Sequence, residues 1–247
     1  DFTRYQGLGA IWLIRETDIE YLLPLRYDDR VEVKTWVQDF RRVRSRRAYE
    51  FRLAQSGALA ARASTDWAYL SRQDGRPVAI PEEMKTAFFP EGVPADALPR
   101  GRFPAAPLPP PGVFTMHRRV EWRDIDPMQH VNNATYLTYI EDCGMQVSAA
   151  HSWPLERMWG AGFGVVARRH RIEYLLPAVL DDELEIATWV YDVRAASVMR
   201  YYTITRCSDS ALLARAHTQW VWIDVASQKP IRIPQAFMTD FAANIAG

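Results

Sequence analysis

Only two of the 247 residues are cysteine, Cys143 and Cys207, only three are lysine, and the 30 basic side chains are balanced by 30 acidic ones. Two cysteines cannot staple a disulfide scaffold, and they suit a reducing cytoplasm. A formal charge of zero lacks the concentrated basic excess of a nucleic-acid binder. No apolar run approaches the roughly 18 residues of a membrane-spanning helix, and the opening residues lack the basic, apolar and small-residue pattern of a signal peptide. Hydrophobic residues make up 48% of the chain, enough for a packed core rather than a disordered tail. The expectation is a cytoplasmic globular protein with no nucleic-acid or membrane partner. Arginine supplies nearly all of the basic side chains, a skew that reads as genome composition.

What the chain does have is an internal repeat. Ile19-Glu20-Tyr21-Leu22-Leu23-Pro24 recurs letter for letter as Ile172-Glu173-Tyr174-Leu175-Leu176-Pro177, an offset of 153 residues. The same offset relates Asp28-Asp29 to Asp181-Asp182, Thr35-Trp36-Val37 to Thr188-Trp189-Val190, Trp67 to Trp220 and Ile80-Pro81 to Ile233-Pro234. About 27 of 70 aligned positions match without a gap, so two copies of one fold are expected. Residues 1–89 form the first, 90–113 a proline-rich semi-rigid linker, and 114–247 the second.

Each copy reads mostly as long antiparallel strands. Residues 183–207 and 211–224 are rich in Val, Ile, Thr, Tyr and Trp and break at Ser208-Asp209-Ser210; 31–55 and 58–70 repeat this in the first copy. The second copy adds a strand from Met116 to Trp122 and a helix over 133–150, where Tyr136, Leu137, Ile140, Cys143, Gly144 and Val147 fall at three-and-four spacing behind Asn133 as N-cap. Shifted by the offset, this strand and helix fall before residue 7. The first copy is therefore expected to lack them here, and the natural chain to begin about 35 to 45 residues earlier, in keeping with a first residue that is not Met.

The densest polar segment runs from Asp124 to Tyr136 and on to Glu141, between that strand and helix. A carboxylate, an imidazole and two carboxamides at a helix start can act together, because free backbone N–H groups there attract developing negative charge. A carbonyl that becomes an oxyanion during acyl transfer is such a charge. Asp126 could attack it or act as base on a water. Each residue also has a plainer role: Asp124 and Asp126 as turn formers before Pro127, His130 as a structural histidine, Asn132 and Asn133 as caps, Glu141 as an arginine's partner, and Cys143 as core.

The string Asp124-Ile125-Asp126-Pro127-Met128-Gln129-His130-Val131-Asn132-Asn133-Ala134-Thr135-Tyr136, continuing to Glu141, closely resembles the signature of hotdog-fold thioesterases, the group that includes 4-hydroxybenzoyl-CoA thioesterase and the acyl-ACP thioesterases. Tyr174-Leu175-Leu176-Pro177 with Asp181-Asp182 resembles that family's second signature, and the two-copy layout is similar to the acyl-ACP enzymes. The resemblance implies an α+β fold of two tandem hotdogs, each a curled antiparallel sheet around a long helix, binding an acyl thioester where the hotdogs pair. It implies hydrolysis of an acyl-CoA or acyl-ACP without a cofactor or metal, by a monomer with an internal pseudo-dimer or by a homodimer. Asp126 matches the family's nucleophile or general base, and His130, Asn132 and Asn133 join it as catalytic candidates. Val131, Ala134, Tyr136 and Glu141 are the candidates for binding substrate. Met128 stands where the acyl-ACP enzymes carry a catalytic Asn, and their later Glu is absent, which favours a mechanism centred on Asp126. A hydratase or dehydratase of the same fold and a non-catalytic acyl binder are the other readings; the Asp126–His130 spacing of four argues against the first.

The copies also differ. Arg41-Arg42-Val43-Arg44-Ser45-Arg46-Arg47 carries three more arginines than its counterpart at 194–200. Arg44 and Arg46 are candidates to dock coenzyme A phosphates or an acidic carrier, against a solvated hairpin as the plain alternative.

Overall fold

The computed structural model describes residues 9–93 and 101–247; the part of the expected linker at 94–100 lies outside the described residues. Two compact units divide the chain, the first ending at Phe103 and the second running Pro104–Gly247.

The first unit is an antiparallel sheet of β1 (Ala10–Tyr21), β2 (Val31–Phe40), β3 (Arg44–Leu53) and β4 (Leu59–Ser71) in the order β2-β3-β4-β1, followed by α1 (Glu82–Phe88). Among the described residues it has no long helix. The second unit has β5 (Phe114–Arg119), a 3-10 turn at Trp122–Asp124, α2 (Asn133–Ala150) and α3 (Leu155–Gly160). Strands β6 (Phe163–Tyr174), β7 (Glu183–Tyr191), β8 (Ser197–Arg206) and β9 (Ala211–Asp224) follow, and then α4 (Gln235–Asp240). Its antiparallel strands run β6-β9-β8-β7-β5.

The repeat holds at the level of single residues. Strands β1 and β6, and β3 and β8, have bounds exactly one offset apart. The irregularity in pairing between Ile14 and Glu16 recurs between Ala167 and Arg169, and that between Phe51 and Arg52 recurs between Ile204 and Thr205. Bulges re-aim side chains locally, so their repetition means that both sheets bend at the same places.

Helix α2 forms because its apolar residues recur on one stripe: Tyr136, Tyr139, Ile140, Cys143 and Val147 are buried. Each contributes on the order of 2 kcal/mol through burial, as an upper figure. Asn132 caps the start, its side chain accepting from the Ala134 amide at 2.9 Å. At the other end Ser152 adopts φ 67°, the Ser152 amide donates to Ala149 and the Trp153 amide to Ser148, and Pro154 prevents continuation. Trp153 and Val147 then join Phe163, Trp222, Phe237 and Phe241 in the core at that end of the unit.

Three local expectations need correction. Strand β5 is Phe114–Arg119 rather than Met116–Trp122, because Trp122 enters the 3-10 turn that Glu121 and Asp124 cap. Asn132, not Asn133, is the N-cap, and Asn133 is the first helical residue. The stretches at 31–55 and 183–207 are each two strands; the Arg41 amide bonds back to Arg44 and the Arg194 amide to Ser197, closing tight hairpins. Strands β1 and β6 did not stand out by composition, because charged residues such as Arg168, Arg169 and Arg171 interrupt their apolar pattern.

Candidate functional site

The segment from β5 to α2 is folded by its own backbone. Asp124 is buried; its Oδ2 accepts from the Glu121 amide at 2.9 Å and its carbonyl from the Asn132 amide at 2.8 Å. Ile125 and Val131 pair as an isolated bridge, which pinches Asp126–His130 into a small loop. Inside it the Asp126 amide donates to the His130 carbonyl and the Gln129 amide to the Asp126 carbonyl, both at 2.9 Å. Gln129 takes φ 64°, a left-handed conformation that a glycine would adopt with less strain.

Asp126 sits partly exposed on this loop. Its Oδ1 accepts from the Met128 amide at 2.8 Å, which fixes the carboxylate plane and leaves Oδ2 without a protein partner among the described residues. His130 closes the loop through its backbone. Of the four amides from Val131 to Ala134, three are engaged: Val131 with Ala178, Asn132 with Asp124 and Ala134 with the Asn132 side chain. The Asn133 amide stands outside this network at the first helical position, where an N–H has no partner one turn back. An open carboxylate oxygen and an open helix-terminal donor thus belong to one short, internally bonded segment.

Tyr136 is buried and accepts from the Ala178 amide at 3.1 Å; burial pushes its hydroxyl up to about 12. It braces the loop after β6 against α2. Glu141 lies eight residues into the helix from Asn133, roughly 12 Å along its axis. Arg44 and Arg46 belong to the first unit: Arg44 is exposed, while the Arg46 guanidinium is committed to Asp66 through Nε–Oδ1 at 2.9 Å and Nη2–Oδ2 at 3.0 Å.

Glu141 opens onto a second feature, a chamber of about 270 Å³ between α2 and the sheet of the second unit. Glu141, Gly144, Met145 and Ser148 form its helical wall, at the three-and-four spacing of one face. Met158, Val165, Trp220, Trp222 and Phe237 make the rest mostly apolar. Gly144 keeps this wall close to the sheet: a Cβ would stand 3.1 Å from Tyr202 Oη, a tight approach, and 3.7 Å from the Trp220 ring. Glu141 Oε1 is 3.8 Å from Nε2 of His170, whose Nδ1 is 3.0 Å from Thr218 Oγ1. Burial lowers the imidazole to about 4 and, with Asp142 beside it, raises the Glu141 carboxyl above the usual range.

Arg200 is the lining residue that sequence reasoning missed. In β8 it shares a face with Val198, Tyr202 and Ile204, all buried, and is itself 5% exposed. A lone cation kept inside a strand otherwise bound for the core was the available signal. Cys143 is fully buried and its thiol is pushed up to about 12 by burial, which leaves it inert as a nucleophile. Trp153 and Trp189 are core, Trp159 is exposed, and Trp220 shapes the chamber.

A thioesterase-like superfamily model matches residues 120–241, and a model of the acyl-ACP thioesterase N-terminal domain matches residues 4–88. The chain is 28% identical over 129 residues to the acyl-CoA thioester hydrolase YbgC of Escherichia coli O157:H7, which covers 52% of this chain and 96% of that protein. The fold matches the 12:0-ACP thioesterase from Umbellularia californica with a TM-score of 0.66 at 18% identity, over 92% of this chain and 76% of the other. The long-chain acyl-CoA thioesterase FadM of Escherichia coli strain K12 is 30% identical over 118 residues, 47% of this chain and 86% of FadM. With its signature loop at the head of α2 and these relatives, the chain belongs to the thioesterase-like superfamily of hotdog-fold proteins.

Proposed function

We propose that the protein hydrolyses acyl thioesters, acyl-CoA or acyl-ACP, to a free acid and a thiol, with Asp126 as nucleophile or general base. The observation that carries this reading is the divided state of the Asp126 carboxylate: Oδ1 is held by the Met128 amide and Oδ2 is open. An open oxygen can attack the thioester carbonyl or take a proton from water, while the held one keeps the group from turning away. The negative charge that builds on the carbonyl oxygen falls to the Asn133 amide at the start of α2. Asn132 holds that helix start in place, and His130 borders the loop. The reaction adds water across the C–S bond, the hydroxyl passing to the acyl carbon and the proton to the sulfur, and the reading requires no cofactor. Relatives named for acyl-CoA and acyl-ACP hydrolysis support it. No described helix is long and apolar enough to cross a membrane, and both cysteines are free thiols, in keeping with a cytoplasmic enzyme.

Purified protein and an Asp126→Asn variant are given a panel of acyl-CoAs, and thiol release is followed. The variant keeps the bond to Met128 and the fold, and thiol release is expected to fall about a hundredfold or more. Equal rates in parent and variant would remove Asp126 from the mechanism. Water addition to an enoyl-CoA without thiol release would instead identify a hydratase.

A further inference from the structure

The chamber beneath α2 holds a charge that no described residue neutralises. The Arg200 guanidinium lines it, is 5% exposed and stays protonated at any pH a protein survives. Its polar bond is from Nη1 to Asn244 Oδ1 at 3.1 Å, to a neutral amide, and the guanidinium also faces the Phe241 ring at 5.6 Å. The ionisable groups close enough to act on it, Tyr202 and Cys143, are both neutral. Buried charges are ordinarily paired. Elsewhere in this chain the rule is kept, for Arg46 has Asp66 and Arg215 has Glu173. Glu141, the acidic group on the chamber wall, has a side chain 54% exposed, beside His170, and is not among the charges acting on Arg200.

Beside Ser148, whose hydroxyl donates to the Gly144 carbonyl at 2.9 Å, two indole groups border the chamber. Trp220 and Trp222 both line the chamber with buried indole N–H groups; that of Trp222 has no acceptor among the described residues, and that of Trp220 lies beside the Tyr202 hydroxyl. Indole is a donor only, as is guanidinium. A mostly apolar space bordered by two indole donors and a guanidinium with no carboxylate partner is matched by an apolar ligand with an anionic acceptor at its end.

We propose that this chamber is the acyl subsite and that it selects acyl groups whose far end carries a carboxylate, paired with Arg200: the substrate class is the monothioester of a dicarboxylic acid. The assignment rests on the hydrolase reading for its reaction, though not for its ligand. At about 270 Å³ the chamber is just below the usual range of small-molecule pockets, about 300–1,000 Å³, which suits a short chain. A methyl-terminated chain of the same length would leave the guanidinium buried without a counter-ion.

The test compares paired thioesters: adipoyl-CoA with hexanoyl-CoA, and suberoyl-CoA with octanoyl-CoA. In the wild-type protein kcat/KM should favour the carboxylate-terminated member of at least one pair by about tenfold or more. In Arg200→Gln that ratio should fall to about one. Equal or greater efficiency with the methyl-terminated members would overturn the proposal, as would a 6-hydroxyhexanoyl thioester preferred to the adipoyl one. Should Arg200→Gln fail to fold, the wild-type ratios decide alone. Calorimetric titration of adipate, suberate, hexanoate and octanoate into the wild-type protein separates the two readings. Dicarboxylate binding about tenfold tighter without hydrolysis of any thioester keeps the chamber's assignment and sinks the hydrolase. The absence of both preferential turnover and preferential binding removes the assignment itself.

Discussion

The Tyr174 hydroxyl donates to the carbonyl oxygen of Asn133 at 3.0 Å, joining the last residue of β6 to the first residue of α2. Tyr136 stands edge-on to the same ring, with centroids 5.4 Å apart, and accepts from the Ala178 amide. The helix start that carries the open Asn133 amide is thus tied to β6 and the loop after it by two tyrosines, Tyr174 from the strand and Tyr136 from the helix.

Replacing Tyr174 with Phe deletes that bond while keeping the ring. The net loss is expected to be about 1 kcal/mol, a fall in Tm of a few degrees. Thiol release should slow several-fold, because a loosened helix start costs orientation in the transition state. Thermal unfolding and steady-state kinetics on one acyl-CoA check both parts; an unchanged kcat with a lowered Tm would confine Tyr174 to stability.

The Asn133 amide can be removed without breaking the helix. Proline is tolerated at the first helical position, where its missing N–H has no intrahelical role. Asn132, at φ −57° and ψ 135°, already has the backbone that a residue before proline prefers. Asn133→Pro should therefore fold with a Tm near that of the parent while losing about a hundredfold or more in kcat. Asn133→Ala, which keeps the amide, should retain most of the activity. Equal activity in the two variants would place the oxyanion's donor elsewhere.

How far the sequence reaches can be seen by comparing α2 with the chamber beside it. The helix was legible over 133–150 because burial is enforced at three-and-four spacing, and the repeat was legible because both sheets carry the same residues in the same register. The loop at Asp126–His130 was legible as a motif, but the order of capping was not: Asn132 and Asn133 are chemically alike, and only backbone geometry makes the first the cap. The chamber was hidden. Gly144 reads as one more packed position on the helix, whereas its missing side chain is what leaves room near Tyr202 and Trp220. Arg200 was hidden because a lone arginine in a strand is usually exposed, and its burial depends on Asn244 at the far end of the chain.

Acid should destabilise the protein through His170. Burial holds its imidazole at about 4 in the folded state, against the ordinary value near 6.5 in the unfolded chain. Between those values the unfolded state binds more protons, so the stability contribution is complete above about pH 6.5 and is lost as pH falls toward 4. The loss from pH 7 to pH 5 is on the order of 2 kcal/mol for this residue. Denaturant unfolding at the two pH values measures it, and His170→Gln should flatten the difference by about that amount. His217, lowered to about 4 mainly by burial, adds in the same direction.

The arginine hairpin divides into two kinds of residue. Arg46 makes a two-pronged, largely buried pair with Asp66, so Arg46→Ala should lower Tm markedly by removing both of those bonds to a buried carboxylate. Arg44 is exposed, and Arg44→Ala should leave Tm within a degree or so. If the hairpin docks coenzyme A phosphates, Arg44→Ala raises KM for acyl-CoA several-fold with kcat unchanged, and the effect weakens in high salt. A KM that does not move at low salt would reduce the hairpin to a solvated turn.

Gly112 links the start of the second unit to the tail that supports Arg200. Its amide donates to the Ala243 carbonyl and its carbonyl accepts from Asn244 Nδ2, both at 2.9 Å, while Asn244 Oδ1 receives the Arg200 guanidinium. A Cβ at position 112 would stand 2.6 Å from the Ala243 oxygen and 2.8 Å from its carbonyl carbon, and backbone cannot swing aside as a long side chain can. Gly112→Ala should therefore push the tail away and cost about 1–3 kcal/mol, several degrees of Tm in a chain of this size. Gly160, at the last position of α3 with nothing within 4 Å of a built Cβ, is the matched control: Gly160→Ala should be neutral or slightly stabilising. Loss of the Asn244 contact frees one Arg200 donor, so Gly112→Ala should also alter the ratio of carboxylate-terminated to methyl-terminated turnover, whereas Gly160→Ala should leave it alone. A Tm for Gly112→Ala equal to that of the control would show that the tail is not held where the close approach places it.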